Sequence, residues 1–112
     1  MSAKQVRYWS VTISKLPAQA MALYPFMLFK SERLKSNEVI VRHEKIHFKQ
    51  QLELLILPFY VLYFLHYLLN LIKYKNHSRA YFNICFEKEA YAHDLDQGYL
   101  KERKAYAWIF MR

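Results

Sequence analysis

The sequence predicts a mainly α fold with a small N-terminal β part, an α+β arrangement in a single domain spanning residues 1–112. Three observations predict it. One Gly and three Pro in 112 residues leave long stretches with nothing to break a helix. From Glu38 to about Leu57 the chain has neither and is rich in helix formers. Before that point, Val11 and Ile13 alternate with polar neighbours, which suits a half-buried strand.

The elements follow in order. Val6 to Leu16 reads as a strand. Met21 to Phe29 reads as a second strand, confined to an edge or a bulge by Pro25, which has no N–H for a ladder. A polar stretch from Lys30 to Glu38 makes a turn, and Ser36 or Asn37 can cap the helix that follows. Pro58 interrupts that helix and is well placed to open the next, since a first turn tolerates a missing N–H. Phe59 to Tyr74 is again helical, with Tyr60, Tyr63, Tyr67, Asn70 and Tyr74 on one face. After a turn at Lys75–Ser78, a third helix is expected from Arg79 or Tyr81 to about Ala105, punctuated by Gly98.

Composition narrows the function classes. A lone Cys85 cannot form an intrachain disulfide, and residues 1–17 lack the apolar core of a signal peptide, so a cytoplasmic setting is expected. The net charge of +8 favours an anionic partner such as a membrane surface. Its Lys and Arg are scattered and no nucleic-acid motif is present, so a nucleic-acid partner is not expected. The run from Leu54 to Ile72 approaches the length of a membrane span. A mean hydropathy of −0.14 excludes a multi-span protein. Its Tyr face and basic flanks suit an interfacial position on the cytoplasmic side. A helical hairpin turning near Leu57–Pro58–Phe59 is expected rather than a straight span.

Residues 43–47 read HEKIH. On a helix, positions four apart share a face about 6 Å along the axis. His43 and His47 can therefore direct two imidazole nitrogens at one Zn²⁺. Glu44, about 100° round the helix, flanks the metal and can take a proton from a zinc-activated water. Such a site needs a third ligand, and Glu87, Glu89 and His93 in FEKEAYAHD are the candidates.

With HEKIH followed by EKEAY at 87–91, residues 38–95 resemble the gluzincin class of zinc metallopeptidases. The short chain also resembles minimal zincin-like proteins. The resemblance implies a compact helical core: an HExxH helix, an apolar helical hairpin, and a third helix whose glutamate completes the site. It implies zinc held by His43, His47 and Glu87, with Glu89 as the alternative, and Glu44 as general base. It implies hydrolysis of a peptide or protein substrate, for which the edge strand offers a pairing site. Tyr91, His93 and Tyr99 are candidates to stabilise the transition state or to support the ligands. The alternative is a non-catalytic, membrane-associated scaffold or binding module with structural zinc or none.

Overall fold

The computed structural model describes residues 7–111; Val6, at the start of the first expected strand, lies outside them. The fold is mainly α with a small three-stranded sheet at the N-terminal end. Strands β1 (Trp9–Thr12), β2 (Ala20–Leu23) and β3 (Phe26–Phe29) lie in the order β1-β3-β2. β3 is central, parallel to β1 and antiparallel to β2. The expected single strand from Met21 to Phe29 is thus two strands. Pro25 sits in the tight turn between them, where its missing N–H costs no ladder bond. β2 is left at the sheet edge, facing the helices.

A 3-10 turn at Glu32–Ser36 leads into α1 (Glu38–Glu53). The Asn37 side chain caps α1 by accepting the Ile40 N–H at 3.1 Å. Two stripes of α1 turn inward. His43, His47 and Gln50 face α4 (Cys85–His93), while Glu44, Phe48 and Gln51 face the sheet. Phe48 packs with Met27, Phe29 and Leu34 in one apolar cluster; Phe59, Ile84 and Phe86 form a second.

α1 ends five residues before Pro58, in a turn without glycine. The Ile56 N–H donates to Gln51 O at 2.6 Å and the Leu55 N–H to Leu52 O at 3.5 Å, the paired bonds of a Schellman cap. Leu55 has φ 63° there. Ile56 follows at φ 63° and ψ −69°, and Leu57 N–H donates to Leu55 O at 2.7 Å, which is a γ-turn. α2 (Leu57–Tyr74) then opens with Pro58 in its first turn. The axes of α1 and α2 bend by 111°, so the pair is an elbow and not the expected antiparallel hairpin.

The Tyr face of α2 packs inward: Tyr60 donates to Ala22 O at 2.6 Å, and the Asn70 amide to Ala80 O at 3.1 Å. The third expected helix is broken into α3 (His77–Phe82), α4 and α5 (Tyr99–Glu102). Asn83 ends α3, its amide donating back to Arg79 O at 2.8 Å, and Ile84 is extended. This break re-aims the chain so that α4 lies across α1.

Candidate metal centre

The site is assembled from α1, α2 and α4. The Nε2 atoms of His43 and His47 lie 3.1 and 3.2 Å from one oxygen, Glu87 Oε1. All three side chains are buried, and together they form a group that could hold a metal ion. Bonds of about 2.0–2.1 Å in a tetrahedral site put ligand atoms about 3.4 Å apart, close to the spacing here.

The hydrogen bonds behind the ligands fix which atoms face the centre. The Gln50 amide nitrogen donates to Phe86 O at 3.0 Å and to Glu89 Oε1 at 2.9 Å. Both partners are acceptors, so the amide oxygen must point the other way, where it meets His47 Nδ1 at 2.7 Å. Nδ1 therefore carries the proton, and the lone pair of a neutral His47 is on Nε2. His43 Nδ1 likewise faces the Asp94 carboxylate at 3.0 Å, which puts its lone pair on Nε2. The second oxygen of Glu87 accepts from the Tyr63 hydroxyl, leaving Oε1 for the shared point. Two lone pairs and a carboxylate oxygen thus converge on one small volume. Such a cluster needs a positive charge, either a metal ion or a proton, and its donor set and supporting bonds fit a divalent metal.

Electrostatics point the same way. Burial works against charge on His47, but the Glu87 carboxylate, joined by Glu44 and the hydrogen bond to Gln50, outweighs it and raises His47 to about 9. Burial would also raise Glu87, yet His47 and His43 hold it well below the ordinary carboxylate range. Glu44 differs: burial pushes it up, and the pull of His47 and His43 only partly offsets this. Burial and the Glu87 carboxylate together push Tyr63 upward.

A cleft opens over the group. Two adjoining cavities of about 370 and 400 Å³ share His43, Glu44, Tyr81, Ala18 and Ala20 in their walls. The wall opposite the histidines is the edge of β2. Gln51 covers the far end of that edge, donating to Ala22 O at 2.9 Å and accepting Tyr24 N–H at 2.8 Å. Alternation along an antiparallel strand turns the peptide groups of Ala20 the same way as those of Ala22, toward the cavity.

Of the sequence candidates, His43, His47, Glu44 and Glu87 come together. Glu89 does not join them. It is fully buried and engaged by Arg103, Tyr99 and Gln50, and Arg103 also binds Glu53 at 2.7 and 3.0 Å. His93 stacks on Tyr99 at 3.8 Å, and the Tyr99 hydroxyl is directed at Glu89, so both belong to that ion cluster. Tyr91 lies beside the site, its ring 4.4 Å from that of His43 and its hydroxyl 3.1 Å from that of Tyr81.

Sequence reasoning missed Gln50, Asp94, Tyr63 and Tyr81 as site residues. Two left a signal in their spacing: Gln50 is three residues beyond His47, and Asp94 seven beyond Glu87, helical intervals that return to the ligand face. Comparison with known protein families, curated proteins and solved structures finds no match.

Proposed function

We propose that the chain is a zinc-dependent hydrolase of the gluzincin type that cleaves peptide bonds. One observation carries this reading: Nε2 of His43, Nε2 of His47 and Oε1 of Glu87 meet at ligand spacing, with Glu44 beside them in the wall of a cleft. Two nitrogens and one carboxylate oxygen suit zinc. Three protein ligands under a cleft match a catalytic zinc site better than a structural one, which is closed by a fourth protein ligand.

Zinc, when bound, supplies a Lewis acid that lowers the pKa of a coordinated water to near 7. Asp94 and Gln50 hold the two imidazoles in the tautomer and orientation the ligand role requires. Tyr63 holds Glu87 by its second oxygen. Glu44 is buried, with its affinity for a proton raised, which suits a group that takes a proton from water and hands it to the leaving amine. The Ala20 edge of β2 pairs with an extended substrate, whose scissile bond then lies over Glu44. Tyr81, in the walls of both cavities, is placed to donate to the developing oxyanion.

The test is Glu44→Gln in the full chain, assayed on a library of extended peptides. The variant should retain zinc and lose turnover by about 10²–10⁴-fold. An active protein whose turnover survives Glu44→Gln contradicts the role of Glu44. The exposed apolar face of α2 favours a second reading, a membrane-associated binding module with structural zinc. Zinc retention with no peptide cleavage by the native chain decides for that alternative.

A further inference from the structure

α2 is inside out. Its polar and aromatic side, with Tyr60, Tyr63, Tyr67 and Asn70, turns into the protein and is hydrogen-bonded there. Leu57, Val61, Phe64, Leu65, Leu68 and Ile72 face outward; Leu57 and Ile72 are 71% and 73% exposed. At about 100° per residue, these six fall within an arc of about 100°. No charged or hydrogen-bonding side chain interrupts that arc. A soluble helix turns the opposite way, so this face calls for an apolar partner, and the described residues supply none.

We infer that α2 lies in the plane of an anionic bilayer, with this face in the acyl boundary. Charge selects the lipid. No Asp or Glu occurs between Glu53 and Glu87, while Lys73, Lys75 and Arg79 follow the apolar face at its C-terminal end, in a chain of net charge +8. A specific protein partner would be held in register by polar contacts around its apolar centre, and this arc offers none.

The helix lies flat and does not cross. Among the described residues no single helix is long and apolar enough to span, and α1 and α2 qualify only as a pair bent by 111°. His47, before α2, and Glu87, after it, meet at 3.2 Å, so the two ends of α2 cannot be on opposite sides of a bilayer. The metal centre packs on the opposite side of α2 from the apolar arc. It therefore stands roughly one helix diameter, ~10 Å, above the acyl boundary. The cleft is then placed to act on chains presented at a membrane surface.

Vesicle flotation of the full chain tests this, with phosphatidylcholine vesicles with and without phosphatidylglycerol. The native chain should float with the phosphatidylglycerol vesicles, and less with phosphatidylcholine alone. Leu68→Glu should weaken flotation by about tenfold or more, because a carboxylate opposes entry into the acyl region. Lys73→Glu with Lys75→Glu should remove the preference for phosphatidylglycerol. Circular dichroism and zinc content of these surface variants should match the native chain, which separates failure of docking from failure of the metal site. Three results would overturn the inference: no flotation of the native chain, flotation unchanged by Leu68→Glu, or a discrete dimer that the same substitution disrupts while vesicles are ignored.

Discussion

Gln50 gives the sharpest test of how the centre is held. It is fully buried, accepts from His47 Nδ1 and donates to Phe86 O and Glu89. Gln50→Leu keeps roughly the volume and removes all three bonds. His47 then loses the acceptor that keeps its proton on Nδ1, and its ring is free to turn or change tautomer. Loss of such a supporting partner costs about 10–100-fold in metal affinity, or about 1.4–2.7 kcal/mol. Stability of the metal-free protein should also fall. The His47 N–H is left unsatisfied in the interior, while the Phe86 carbonyl keeps its bond within α4, so a loss of about 1–3 kcal/mol is expected. Zinc affinity is read by competition with a chromophoric chelator, and stability by urea unfolding of the metal-free form. Zinc affinity within twofold of native for Gln50→Leu, in a protein that still folds, would refute the role assigned to the amide.

Three further outcomes follow. A chelator should lower the melting temperature, because zinc bound only to the native state shifts the folding equilibrium; superimposable melting curves would speak against a bound metal. Metal-free protein should lose stability as pH rises from about 6.5 to about 9. The raised His47 contributes fully below its unfolded value and loses its proton as pH passes the folded one, leaving Glu87 uncompensated. Urea midpoints at intervals across that window test this, and a flat profile contradicts it. Leu55→Gly should stabilise the protein by about 1 kcal/mol, because Leu55 is 78% exposed, has little contact to lose and sits at φ 63°. A lower thermal midpoint for this variant would count against a strained elbow.

Much of the fold was legible because its signals are local. Asn37 caps α1, Pro58 opens α2, and the Tyr spacing marks one face of α2, all from short-range chemistry. The elbow was displaced and its angle unreadable because Leu55 and Ile56 take positive φ, where glycine or asparagine would announce a turn. The inward turn of the Tyr face was hidden for another reason. Apolar periodicity identifies two faces, but which one meets the protein depends on what lies outside it. At the site, His43 and His47 were readable from ligand chemistry and spacing, whereas Glu87 came first among the third-ligand candidates through the gluzincin resemblance. The choice between Glu87 and Glu89 depended on Arg103, fourteen residues beyond Glu89, whose guanidinium claims that carboxylate. Nothing local to residues 85–93 records that pairing.

A metal held by His43, His47 and Glu87 is tested most directly by the elemental content of the full chain purified without chelator. One zinc per chain is expected in the native protein and in Glu44→Gln, with metal lost in His43→Ala, His47→Ala and Glu87→Ala. A folded native chain that carries no metal and takes up none from added zinc, or metal content unchanged by both histidine substitutions, would contradict it.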